Sequence, residues 1–114
     1  MKWLALISFA AMLTFAANPE VMRVDSVADS QIVHKVTPSY PGDALDHRIS
    51  GVVKMTVVVG VDGKVQQVRL ISGHPLLAPA AMHAVRQWVF KPFQHDGIQV
   101  RAIAHIEVPF TLPN

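Results

Sequence analysis

The pattern of apolar and polar residues changes period along this chain, and each change marks an element. Gly51-Val-Val-Lys-Met-Thr-Val-Val-Val-Gly-Val61 is rich in β-branched residues, Asp62-Gly63 is a turn pair, and Lys64-Val-Gln-Gln-Val-Arg-Leu-Ile-Ser72 reads as a second strand. A two-residue turn is the favoured link between twisted antiparallel strands. With Asp62-Gly63 in that role, Val57 faces Val68 and Met55 faces Leu70. Val53, Val59 and Val61 join them on one predicted core face. Lys54, Thr56, Gln67 and Arg69 fall on the other, with Val52, Val58 and Ile71 among them. A sheet covered on one side needs this asymmetry.

The period then becomes helical. Leu77, Ala81, Ala84, Val85 and Trp88 recur on one face, while His83, Arg86 and Gln87 point away. A proline in a helix interior costs about 3 kcal/mol, so Pro79 is expected at the first helical position with Ala78 before it, and Lys91-Pro92 ends the element. From Ile98 the alternation is nearly unbroken. Val100, Ala102, Ala104, Ile106, Val108, Phe110 and Leu112 share one face; Arg101, Ile103, His105, Glu107 and Thr111 share the other. This predicts a long third strand entered through Asp96-Gly97. A right-handed helical crossover returns that strand parallel to the second and places it beside the first, giving a three-stranded antiparallel sheet of order 2-1-3. Pro109 lacks a ladder donor, which suits an edge strand; the third strand is therefore expected to be an edge.

Upstream, Pro38-Ser39-Tyr40-Pro41 opens the folded part. Proline is favoured at the first helical position, so a short helix is expected over 41–48. Such a helix is marginal alone, which requires Tyr40, Ala44 and Leu45 to dock. Residues 18–37 carry strand-like patches at Val21–Val24 and Ile32–Val36, separated by the turn-rich Asp25–Ser30. Two readings stay open there: a short strand laid against the domain, or a partly ordered leader.

The start of the chain bears on where the domain works. Met1-Lys2 is followed by Trp3–Ala17, apolar except for Ser8 and Thr14. That run is about fifteen residues, against roughly 20 for a spanning helix. A positive start, a short apolar middle and small residues at its end read as a secretory signal peptide, with cleavage expected after Ala16. The alternative is an uncleaved inner-membrane anchor. The expected organisation is a signal peptide over 1–16, a partly ordered leader over 17–37 and one domain over 38–114, exported from the cytoplasm.

Composition narrows the chemistry. Much of the 51% apolar content lies in the first segment. Removing Lys2 lowers the formal charge from +2 to +1, and the remaining charges alternate in sign. A nucleic-acid footprint needs clustered Lys and Arg with stacking aromatics, and neither is present. With no cysteine, disulfides and thiol chemistry are excluded. The six histidines (His34, His47, His74, His83, His95 and His105) form no i, i+4 or H-x-H pair, so no zinc site assembles from local spacing. No nucleophile elbow or phosphate loop exists. The pattern points away from an enzyme, and no cofactor is expected. His74, in Gly73-His-Pro75, reads as a turn-stabilising residue.

The order of small motifs carries a resemblance. Pro38-x-Tyr40-Pro41, Gly51-Val-Val53, Val61-Asp-Gly-Lys-Val65, Ser72-Gly-His-Pro-Leu-Leu77, Ala80-Ala81, Ala84-Val-Arg-Gln-Trp88 and Phe90-Lys-Pro92 resemble the C-terminal domain of the TonB family over Pro38 to Leu112. The resemblance implies an α+β fold, two helices packed on one face of a three-stranded sheet. It also implies a periplasmic protein-binding domain whose last strand accepts an extended segment of an outer-membrane receptor. On that reading Val100, Arg101, Ile103, His105 and Glu107 meet the partner. Tyr40, Pro41, Gly63, Trp88, Pro92 and Phe110 serve the structure. The chain departs from energy-transducing members in its short apolar segment and in the missing Pro-rich spacer. Even fully extended at about 3.1 Å per residue, the leader before Pro38 is too short to cross the periplasm. A second reading is a structural protein that self-associates into a homodimer through the same edge. A concentration series by light scattering separates the two.

Overall fold

The computed structural model describes residues 21–113. Its strands are β1 (Val21–Val24), β2 (Ile32–His34), β3 (Gly51–Val59), β4 (Val65–Ser72), β5 (Val89–Phe90), β6 (Phe93–His95) and β7 (Ile98–Phe110); its helices are α1 (Gly42–Asp46) and α2 (Ala78–Val85). The expected signal segment lies outside the described residues.

The three long strands run β7-β3-β4, antiparallel throughout, which is the predicted 2-1-3 order. The sheet is nevertheless larger and mixed. β1 adds parallel to β7, and β6 folds back on the start of β7, giving five strands. The expectation of a three-stranded, wholly antiparallel sheet with the last strand at its edge is therefore corrected. Two causes act. Met22 and Val24 project from β1 onto the core, so the leader gains burial by pairing there. Asp96 and Gly97 both have left-handed φ, 54° and 79°, as a tight primed turn demands. That turn brings Phe93–His95 onto Ile98–Val100.

The β3–β4 hairpin keeps the predicted register at its centre, Met55↔Leu70 and Val57↔Val68, but not at its turn. β3 ends at Val59, and the chain reverses through Gly60 to Gly63, with the Gly63 N–H donating to the Gly60 carbonyl at 2.9 Å. A register shift follows, pairing Val59 with Val65. The cause is tertiary. The Phe90 N–H donates to the Gly63 carbonyl at 2.8 Å, and a Cβ at Gly63 would lie 1.9 Å from the Phe90 carbonyl oxygen at a φ of +87°. The turn is shaped to receive β5, and only glycine fits there. Val61, carried into the turn, is 48% exposed, and Leu70 on the outer strand is 40% exposed. Neither joins the core, although Leu70 stays opposite Met55.

The helices are shorter than expected. α1 stops at Asp46 with Pro41 as its cap rather than its first residue, because Arg48 turns left-handed at φ 54° and the Ile49 N–H closes on the Ala44 carbonyl. α2 begins one residue early, with Pro79 in its second position, and it lies against β3 and β4. It ends before Trp88. Leu77, Ala81, Ala84, Val85 and Trp88 are all buried. Leu77, Ala81, Val85 and Trp88 pack in one cluster with Val53, Met55, Val57 and the inward face of β7. Tyr40 closes the far end, its ring edge-on to Phe110 at 5.4 Å and its hydroxyl donating to the Ile49 carbonyl.

Candidate functional site

β7 is paired with β3 from Ala102 to Phe110. Ahead of that stretch, Ile98–Val100 pairs with β6. On the side away from β3, Arg101–Ala104 is covered by β1. Along His105–Phe110 no strand lies on that side among the described residues. An unpaired strand edge presents a row of N–H and C=O groups able to bond another chain. The residues expected to meet a partner divide between these zones. Val100 is opposite Phe93 and buried. Arg101 is opposite Val21 and Ile103 opposite Arg23, both half-buried. His105 and Glu107 are exposed and lie in the open zone. The open edge expected to carry Val100 to Glu107 thus begins only after Ala104.

The open zone borders a groove. Asp25, Val27, Lys35 and Trp88 line about 280 Å³ beside His105 and Glu107. Lys35, Val36, Pro38 and Trp88 line about 200 Å³ more beside Glu107 and Pro109. One wall is the β7 edge; the other is the leader between Asp25 and Pro38. That wall is held in place. The Trp88 Nε1–H donates to the Val36 carbonyl at 2.9 Å, and the Lys35 ammonium sits 5.3 Å from the Trp88 ring centre. Lys35 also reaches Asp29 at 3.7 Å. Gln31 and Lys91 exchange two bonds, Lys91 N–H to the Gln31 carbonyl at 2.8 Å and Gln31 Nε2–H to the Lys91 carbonyl at 3.2 Å.

A short strand laid against the domain is one of the two readings open for the leader, and the pairing of β1 and β2 matches it; the strands they join are not legible in the sequence. Nothing local says which strand a patch of three or four residues joins. Trp88 also does more than pattern implied: it is 4% exposed, yet its indole N–H clamps the leader.

The arrangement offers a backbone edge more than reactive groups. Among the described residues no three of His, Asp or Glu converge on a metal position, and none of the buried residues is polar. His74 stabilises its turn: its Nδ1 accepts the Leu76 N–H at 3.0 Å, and its carbonyl accepts from Leu77 and Ala78.

Fold and edge together define an α+β domain whose sheet, among the described residues, is left open along about half of its last strand. The chain belongs to the TonB C-terminal family, since the model of the Gram-negative bacterial TonB protein C-terminal region matches residues 36–112. It is 34% identical over 80 residues to protein TonB of Vibrio cholerae serotype O1, an alignment covering 68% of this chain and 33% of that protein. The chain thus spans about a third of the length of that relative. The solution structure of the Pseudomonas aeruginosa TonB C-terminal domain superposes with a TM-score of 0.62 at 25% identity, over 78% of this chain and 94% of that one. The TonB2 protein from Vibrio anguillarum, at 21% identity, shares the fold with a TM-score of 0.56 over 96% and 97% of the two chains. Among the described residues no helix is long and apolar enough to cross a membrane.

Proposed function

We propose that this chain is a non-enzymatic, periplasmic protein-binding domain acting in TonB-dependent transport. An extended segment of its partner, an outer-membrane receptor, adds as a strand to the outer edge of β7. One observation carries the reading: among the described residues the backbone of β7 is unpaired on that side from His105 onward and faces a groove rather than bulk solvent. In strand addition the main chain supplies affinity and alternate side chains supply specificity. Arg101, Ile103, His105 and Glu107 stand on the alternate positions, on the face away from the core. Family membership supports the partner class.

The test uses a receptor captured from envelope extract and a folded Ile103→Pro protein, its fold checked by circular dichroism. Proline removes a ladder donor and bends the edge, so receptor binding is expected to be lost. Full-strength binding to a folded Ile103→Pro protein would overturn the reading. Self-association through the same edge would show instead as scattering mass that rises with protein concentration.

A further inference from the structure

The middle of the β7 edge is already occupied. Val21, Met22, Arg23 and Val24 lie parallel to it, in register with Arg101, Ala102, Ile103 and Ala104. They hold the position that an added partner strand would take. We infer that β1 is an internal placeholder, displaced by a partner segment with an apolar–acidic–apolar pattern. The inference rests on the strand-addition reading and deepens it.

Three features make β1 a replaceable occupant. It is four residues long, and parallel pairing is slightly less stable per residue than antiparallel. Short elements with few buried contacts lie at the low end of the local-opening range. Its side chains are only half-matched to the site. Met22 and Val24 pack against the core, but Arg23 rises on the outer face. There it lines a shallow depression with Thr56, Val58, Gln67, Arg69 and Ile103. That lining has a second arginine and no acid, and Arg101 stands on the same face, so Arg23 adds a like charge. A carboxylate at that position would meet opposite charge instead. The partner that fits best therefore keeps the apolar residues of β1 and exchanges its arginine for an acid.

The placeholder also sets how the site fills. His105–Phe110 is open while β1 is in place, so a partner can bind there first and then replace β1 along Arg101–Ala104. Binding to a site that is mostly covered is weakened by the fraction of time it is free. A tethered strand competes at an effective concentration of order millimolar.

The chain's lack of cysteine permits a clean reversible lock. Met22 and Ala102 are register partners, and neighbouring strands lie about 4.8 Å apart, within the Cα range of a disulfide. The full chain carrying Met22→Cys and Ala102→Cys is tested against two peptides, Pro19–Ser26 and the same peptide with Arg23→Glu. The full chain carrying Met22→Asp and Val24→Asp serves as the released form, followed by amide exchange along Arg101–Ala104. The oxidised lock is expected to bind neither peptide along Arg101–Ala104. The released form should bind the native peptide at least tenfold more tightly than wild type does, and the Arg23→Glu peptide more tightly again. Failure of the disulfide to form overturns the inference, as does equal binding by oxidised and reduced protein. Unchanged exchange of Arg101–Ala104 in a folded released form would do the same; if that form does not fold, the lock decides alone. A lock without effect would leave His105–Phe110 as the docking strip. Receptor binding that survives Ile103→Pro would instead sink strand addition and the β1 inference with it, whereas a lock without effect sinks only the inference.

Discussion

β3 and β7 lie side by side and follow one pattern, with Val53, Met55, Val57 and Val59 buried on one and Ala102, Ala104, Ile106 and Val108 on the other. Their surroundings differ. β3 has long antiparallel neighbours on both sides along most of its length. β7 has β3 on one side; on the other it has only the short β1, and nothing from His105 on among the described residues. The contrast separates two properties of a strand. Side-chain alternation reports which face is buried, whereas pairing of the backbone edge is decided by whatever chain arrives beside it. β3 is a core strand in both senses. β7 is a core strand by its side chains and a half-open edge by its backbone.

If the open half of β7 is held by one ladder and by its inward side chains, removing those side chains should hurt most. Phe110→Ala loses the ring contact to Tyr40, and Trp88→Ala empties the floor under the groove. Each is expected to cost about 3–5 kcal/mol, a large part of the 5–15 kcal/mol typical of a domain. Urea unfolding measures this, and a midpoint unchanged in either variant would mean that the open half is anchored elsewhere.

On the β3 side, the sensitive point is the turn rather than an edge. Gly63→Ala places a methyl against the Phe90 carbonyl in a left-handed conformation that alone costs about 1–2 kcal/mol. A loss of at least that size is expected, with the Lys64–Val89 bridge weakened in amide exchange. A neutral substitution would show that the turn does not hold β5.

The smallest expected effect sharpens the comparison most. Trp88→Phe keeps the ring in the core but removes the bond to the Val36 carbonyl, worth about 0.5–1.5 kcal/mol net. Global stability should fall by that amount, while exchange around Val36 should accelerate further. If the leader stays as protected as before, the indole N–H is not its clamp.

Local period and composition were enough to specify several parts of this molecule. The order β4-β3-β7 followed from alternation, one helical crossover and its handedness. The burial of Leu77, Ala81, Val85 and Trp88 followed from spacing, and the tight turn at Asp96-Gly97 from its residues. Burial is a property of side chains, and side chains are written in the sequence. Only the tertiary structure decided where backbone edges are satisfied. It laid Val21–Val24 on Arg101–Ala104, moved the hairpin turn so that Gly63 could receive Phe90, and left His105–Phe110 open beside a wall pinned by Trp88. Each of these depends on main-chain N–H and C=O groups that every residue except proline carries alike. Beyond the missing donor of Pro109, no residue type marks which part of the edge is paired, and the candidate site is made of that difference.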